Sequence, residues 1–481
     1  MSKSIFWYDF ESTGIDPRCD RPLQVAGIRT DENLEEIGEP LCIDCRLSGD
    51  VLPHPAACLV TGIGPERVAR GLSEAEFIGR LHEQMAQPGT CTAGYNNLRF
   101  DDEMTRFTLW RNFHDPYARE WQGGNSRWDL LDAMRTARAL RPEGIVWPEQ
   151  DGLPSLRLEL LTAANGIDHG QAHDALADVR ATIAMAKVLR SAQPRLYDYL
   201  YALRSKQRVC ELIDLQGTRP LVHVSGRFGR DRHGLAVVLP LGWHPFNRNA
   251  LIVYDLAADP APLIDSDADT LRQRLYTRTE DLPEGAQRSG LKLVHVNKCP
   301  VLADMKVLRE QDQQRLGLDL AELLRRATLL AQWRSAGQAK LQAIYQVDPE
   351  RKVPEPDLDE QLYDGFIGDA DRRLLPMIRE ADAAALTSVQ WPLQDQRLAD
   401  MLFRYRARNF PESLSGIELE KWHTFCRERL SGSSVGGGLS YASFESAVRQ
   451  LLPSATAEQA RLLESWQEYA RHVVRECGMQ P

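Results

Sequence analysis

A chain of 481 residues with 58 Lys or Arg against 68 Asp or Glu, and a formal net charge of −10, has room for two to four domains with proper cores. It contains no run of eighteen apolar residues, Asp9 and Glu11 interrupt any N-terminal leader pattern, and its nine cysteines are odd in number and irregularly spaced. These features argue against a membrane-spanning helix, a secreted product or a disulfide framework, and for a cytoplasmic chain with reduced thiols.

Residues 5–10 form an apolar, aromatic run that predicts a buried strand, ended by a turn at Gly14. Side chains alternate along a strand, so Asp9 and Glu11 share a face. Two carboxylates side by side at the end of a core strand repel each other and are costly to desolvate unless a cation lies between them. The plainer alternative is that both stand in water just past the strand. Further strands are predicted over 23–29 and 37–45. Cys42 and Cys45 form one C-x-x-C without a partner pair, short of the four ligands of structural zinc, and read as strand thiols. A helix is predicted over 74–87. A short apolar segment at 91–95 then leads through Asn96-Asn97-Leu98-Arg99-Phe100-Asp101-Asp102 into an aromatic-rich helical stretch. Asp101 falls at the helix start, where an aspartate serves as a cap or as a metal ligand. The aromatics between Phe107 and Trp128 read as core more than as a stacking platform. His173-Asp174-Ala175-Leu176-Ala177-Asp178 opens a strong helix-forming run to residue 190, with His173 at or before its first turn. Gln193-Pro194 ends that helix, so residues 5–190 form an α/β domain.

Short β-rich runs follow at 221–224, 235–241, 250–256 and 291–296, then a helical pattern over 318–346. Residues 347–358, with Pro349, Pro354 and Pro356, read as a linker. Amphipathic helices are predicted beyond it over 395–408, 416–430 and 457–476. The acidic total is awkward for a protein that binds phosphates, so any such contact must come from local charge. One basic cluster comprises Arg204, Lys206, Arg208, Arg219, Arg227, Arg230 and Arg232, and a second Arg397, Arg404, Arg406 and Arg408 among Phe403, Tyr405 and Phe410. Cations interleaved with aromatic faces suit a sequence-tolerant single-strand groove. A solvated basic helix face is the alternative for either cluster.

Taken together, D-x-E at Asp9 and Glu11, N-x-x-F-D ending at Asp101, and H-x-x-x-x-D from His173 to Asp178 resemble the histidine-containing subgroup of the DEDD 3′-to-5′ exonucleases. Arg141-Pro142-Glu143-Gly144, Asp151-Gly152-Leu153-Pro154-Ser155-Leu156-Arg157, Leu221-Val222-His223-Val224-Ser225-Gly226, His295-Val296-Asn297-Lys298-Cys299-Pro300 and Tyr405-Arg406-Ala407-Arg408-Asn409-Phe410-Pro411 narrow the resemblance to the bacterial exodeoxyribonuclease I family. It runs over nearly the whole chain. The family pattern matches Asp101 rather than Asp102, because the ligand directly follows Phe100. Ser12 stands where the superfamily often has Thr, and residues 433–438 make a glycine-rich, insert-like stretch.

The resemblance implies an RNase H-like α/β catalytic domain over 5–190, an SH3-like β-barrel domain with a helical extension over 194–346, and an α-helical C-terminal domain over 358–477. It implies processive 3′-to-5′ hydrolysis of single-stranded DNA to nucleoside 5′-monophosphates, in repair and recombination. Asp9, Glu11, Asp101 and Asp178 would hold two Mg²⁺ about 3.5–4 Å apart, with Mn²⁺ able to substitute. His173 would be the general base, an imidazole with a reference pKa of about 6.5. Arg157 would grip a phosphate, Glu11, Thr13 and Gly14 would seat the terminal nucleotide, and Arg227 and Arg230 would line a channel. Expected partners are single-stranded DNA and the acidic C-terminal tail of single-stranded DNA-binding protein, with Arg141 as a contact; a monomer with no membrane association is expected. Two other readings stay open. One is an RNA-trimming or proofreading exonuclease, which differs in its tolerance of a 2′-OH. The other is a non-catalytic single-strand-binding module, which loss of an acidic ligand would favour; none is lost.

Overall fold

The computed structural model describes residues 3–168, 170, 174–283, 288–346, 355–433 and 436–480. Its principal elements are β1 (Ser4–Ser12), β2 (Pro22–Thr30), β3 (Leu41–Asp44), α1 (Pro55–Thr61), α2 (Glu74–Met85), β4 (Thr90–Gly94), α3 (Asp101–Arg111), α4 (Leu130–Leu140) and α5 (Ala175–Ala192). They continue with β5 (Leu221–Val224), β6 (Leu235–Trp243), β7 (Ala250–Asp255), β8 (Leu291–His295), β9 (Val301–Asp304), α6 (Leu320–Trp333), α7 (Gln338–Ile344), α8 (Gln396–Asn409), α9 (Gly416–Ser431), α10 (Tyr441–Leu451) and α11 (Ala457–Glu476). Two bodies result. One comprises residues 1–126, 169–183 and 353–481, the other 127–168 and 184–352.

In the first body β1 pairs antiparallel with β2 and parallel with β4, giving the strand order β3-β2-β1-β4. Alternation along β1 sends Phe6, Tyr8 and Phe10 onto Phe77, Ile78 and Leu81 of α2 and Met104 and Leu109 of α3. Gly27 stands opposite Tyr8, and a Cβ there would overlap the Phe6 ring, so only glycine fits. The strand expected over 37–45 is shorter, because Gly38 takes a left-handed φ of 75° and Pro40 follows it; Ile37 is left largely exposed.

The C-terminal helices belong to this same body. Trp422, Cys426, Phe444, Leu463 and Trp466 close a core over Leu23, Leu52, Cys58, Ile63 and Val68. Trp466 Nε1 also donates to the Ile63 carbonyl at 3.0 Å. A second cluster joins Phe107, Trp110 and Phe113 to Leu375, Ile378, Leu398, Met401 and Tyr405, so these early aromatics are core, as expected. Each such large apolar side chain contributes roughly 1.5–3 kcal/mol on burial.

A charge network crosses the seam and overturns the groove reading of the second basic cluster. Asp359, with no exposed surface, accepts from Arg21 and Arg408 at 2.6 Å each, and from Arg404 at 3.2 Å. Arg408 also pairs with buried Asp50 at 2.8 Å, Arg406 with Glu418 at 2.7 Å and Arg397 with Asp395 at 2.7 Å. Burial alone raises the Asp359 carboxyl, but the fields of Arg408, Arg21, Arg404 and Arg429 overcome it and hold it well below the usual carboxylate range. Arg397, Arg404, Arg406 and Arg408 are therefore spent on carboxylates. The glycine-rich stretch meets the same region: Gly437 N–H donates to Glu360 at 2.7 Å, while Ser434 and Val435 lie outside the described residues.

The second body holds the five-stranded antiparallel barrel sheet in the order β8-β7-β6-β5-β9, with a bulge between Ile252 and Val253. The helical pattern over 318–346 breaks into α6 and α7, and Trp333 closes over Gly337 between them so tightly that a Cβ would overlap its ring. The first basic cluster is also dispersed: Arg208 pairs with Glu211, Arg232 with Asp255, and Arg204 stacks on Tyr201. Among the described residues no helix is long and apolar enough to cross a membrane. All nine cysteines are free thiols, with Cys42 exposed and Cys45 buried.

Candidate active site

The period-2 geometry of β1 places Asp9 opposite Ala26 and Glu11 opposite Gln24 on β2. From α5, Asp178 reaches the same place. One carboxylate oxygen from each of Asp9, Glu11 and Asp178 lies within 4.8 Å of the others. Such a cluster is unfavourable by itself. Burial, then the fields of Asp101, Glu11 and Asp178, push the Asp9 carboxyl well above its ordinary range. Burial, then Asp178, Asp101 and Asp174, push Glu11 up to about 8, with Arg67 pulling the other way. A divalent cation among them would remove that penalty, and an all-oxygen donor set suits a hard ion such as Mg²⁺ or Mn²⁺. The residues present fit a metal.

Asp101 joins the cluster through its field and by a tie to the strand. Its Oδ1 accepts from the Phe10 backbone N–H at 3.0 Å, so the carboxylate is turned to β1. Asp102 is used elsewhere: fully buried, it accepts from Tyr8 Oη at 2.8 Å and pairs with Arg119 at 2.8 Å. Asp174 was missed as a functional neighbour. It caps α5, accepting from Leu176 and Ala177 N–H at 3.0 and 3.2 Å, a role that an Asp preceding a helix-forming run signals. His173 lies outside the described residues.

The remaining expectations divide. The Thr13 hydroxyl donates to Asp20 at 2.9 Å and accepts from Arg21 N–H at 2.9 Å, so its proton is committed within the loop. Gly14 is buried, and a Cβ there would overlap the Asp20 carboxylate, so its need for glycine is met by the loop itself. In the second body, Arg157 is exposed, 4.0 Å from Glu159. Arg227 is exposed on the barrel, and its field reaches Lys292 on β8, a cationic pair that spacing alone could not show, and helps to hold the His295 imidazole neutral. Arg230 donates to the carbonyls of Leu153 and Pro154 and is thereby partly spent. Arg141 is not the free surface cation expected. Its side chain is 27% exposed, pairs with Asp312 at 3.3 Å and donates to Val307 O at 3.0 Å.

A carboxylate cluster at the end of the central strand of an RNase H-like sheet, with an adjoining helix supplying the third carboxylate, defines a metal-dependent exonuclease. Comparison agrees: the exonuclease family model matches residues 6–186, the exonuclease I SH3-like domain residues 204–347 and the exonuclease I C-terminal domain residues 356–473. Exodeoxyribonuclease I of Escherichia coli K12 is 46% identical over 477 residues, covering 98% of this chain and 99% of that protein. Exonuclease I from Methylocaldum szegediense superposes with a TM-score of 0.93 at 48% identity, over 98% of this chain and 100% of that one. E. coli exonuclease I in complex with a dA16 oligonucleotide gives a TM-score of 0.93 at 44% identity, with the same coverage. The chain belongs to the exodeoxyribonuclease I family.

Proposed function

We propose that this exonuclease degrades single-stranded DNA from its 3′ end to nucleoside 5′-monophosphates, with Asp9, Glu11, Asp101 and Asp178 as ligands of two Mg²⁺. The observation that carries the reading is the convergence of Asp9, Glu11 and Asp178 within 4.8 Å. Bound there, divalent cations would activate water and offset charge on the departing oxygen. The chain's own groups do the rest. His173 takes the proton of the attacking water, and the Arg157 guanidinium grips a phosphate through its planar fork. Arg227, with Lys292 beside it, offers the strand positive charge that the acidic chain as a whole lacks. Structures of E. coli exonuclease I with single-stranded DNA, one of them zinc-bound, support the substrate class and metal dependence.

An SSB/exonuclease I complex with an inhibitor has been solved, and it supports that partner here too; we assign the contact to the partner's acidic C-terminal tail. Arg141, Arg309 and Arg315 surround buried Asp312, and Arg309 also pairs with Glu143 at 2.9 Å, so three cations meet two carboxylates and one positive charge is left for such a tail. End-labelled single-stranded DNA, duplex DNA and single-stranded RNA, each incubated with and without Mg²⁺, test the reading. Stepwise shortening of single-stranded DNA from the 3′ end only with Mg²⁺ is expected; equal or faster loss of RNA would overturn the substrate assignment.

A further inference from the structure

The glycine-rich stretch, which the proposed chemistry leaves unused, packs against the loop that follows Glu11; both belong to the first body. It is seated on the short helix Leu358–Tyr363 and on α9. Gly437 N–H donates to Glu360 at 2.7 Å, and Arg429 of α9 donates to Gly437 O at 3.4 Å. This seat is itself fixed. Arg404 holds Asp357 through bonds of 2.7 and 3.0 Å, and Arg429 reaches Asp357 and Asp359 at 3.5 and 3.4 Å. A Cβ on Gly437 would stand 3.0 Å from Cys19 Sγ and 3.2 Å from Cys19 Cβ, and one on Gly436 would stand 2.7 Å from Asp357 Cβ. Neither can be added without moving a neighbour, so bare backbone is what fits against Cys19.

Cys19 cannot yield alone. Its N–H and that of Asp20 both donate to Asp16 O, at 3.2 and 2.8 Å, its Sγ lies 3.8 Å from the same oxygen, and its carbonyl accepts from Arg21 Nη1 at 2.9 Å. Asp20 in turn accepts from Thr13 Oγ1 at 2.9 Å and from Asp16 N–H at 2.8 Å, and it lies directly against Gly14. A push on Cys19 is therefore passed through Asp16 and Asp20 to Thr13 and Gly14, just beyond the proposed ligand Glu11. Ile15, next along, is 92% exposed, an apolar side chain available to a sugar or base. We propose that Gly437 is a positioning residue for the exonuclease site: its backbone braces Cys19 and so holds the loop after Glu11 in the shape that receives the 3′-terminal nucleotide. The inference rests on the single-strand reading of the site and on the seating of that nucleotide at Thr13 and Gly14. No metal ligand is touched, so the effect falls on binding rather than on bond cleavage.

Steady-state cleavage of a thymidylate trinucleotide with Mg²⁺ tests it, because so short a substrate depends most on the terminal seat. Gly437→Ala is expected to raise KM roughly three- to tenfold while kcat stays within about twofold. Cys19→Ala added to Gly437→Ala should recover much of that loss, since it removes the atom nearest the new Cβ. A merely structural role for the stretch would instead lower the unfolding midpoint and kcat with KM unmoved, and that outcome overturns the proposal. So does a KM that rises in Gly437→Ala and is not lowered by Cys19→Ala, because the push would then not travel through Cys19. Should Gly437→Ala fail to fold, Glu360→Ala, which removes the acceptor of the Gly437 N–H, decides alone: KM raised several-fold at unchanged kcat supports the brace, and unchanged KM overturns it. No cleavage of thymidylate strands of any length by the unmodified protein would strike the proposed function, and this inference with it.

Discussion

Asp101 and Asp102 are neighbours of identical chemistry with different surroundings. Asp102 is neutralised by Arg119 and Tyr8, whereas Asp101 faces the carboxylates of β1. The motif distinguishes them because the residue after Phe100 begins α3 on the side of the strand, and a helix turns the next residue by about 100°. Asp9 and Glu11 were legible for an equally local reason, the period of two along a strand. Thr13 was not, since the partner of its hydroxyl, Asp20, returns through a loop. Nor was the pairing of Arg141, because Asp312 stands 171 residues away. Asp9→Ala or Asp178→Ala should lower cleavage by roughly 10³-fold or more while leaving metal-free strand binding near normal. Single-turnover rates beside binding curves check this, and near-normal turnover in either variant would remove that residue from the site. His173→Ala should cost roughly 10²–10⁴-fold, with partial recovery at higher pH as hydroxide replaces the missing base.

At the scale of elements, α8 shows how a correct local pattern can carry the wrong meaning. Arginines among aromatics at helical spacing do fit a nucleic-acid groove, but Arg408 finds Asp359 and, 358 residues distant in sequence, Asp50. No window of sequence contains such a pair. The strands and helices themselves were readable, because periodicity is local; the start of β3 moved where Gly38 imposed a turn. Removing one carboxylate from a buried network leaves guanidiniums uncompensated, so Asp359→Asn should destabilise the protein by about 3–5 kcal/mol. The folded-state pKa of Asp359 is depressed, so its contribution is present above the unfolded value of about 3.9 and fades as pH falls through the folded value. The gap between Asp359→Asn and the unmodified protein should therefore be widest near neutrality and narrow in acid. Denaturant midpoints against pH measure it, and a gap that widens toward acid would refute the assignment.

Over the whole molecule, a net charge of −10 coexists with a local cationic face around Arg227 and Lys292. Strand binding should accordingly weaken steeply with salt, and Arg227→Gln should flatten the slope by about 0.7; an identical slope would place the strand elsewhere. The C-terminal helices are not an appendage. A chain stopped near Arg190 keeps Asp9, Glu11, Asp101 and Asp178 but strips the cover from Ile63, Val68, Phe107 and Trp110, and leaves Arg21 and Asp50 without Asp359 and Arg408. It should fail to give a cooperative unfolding transition, and a sharp one would show that the exonuclease segment closes its core unaided. The hydrogen bond from Trp466 to Ile63 spans 403 residues. At the usual pace of synthesis, roughly 5–20 residues per second, about 20–80 s separate the emergence of these two partners from the ribosome. For that time the apolar surface of α1 waits uncovered, open to chaperones or to another nascent chain. The segment made first is sealed last, and a message broken late would release a polypeptide with every proposed metal ligand and no finished body to hold them.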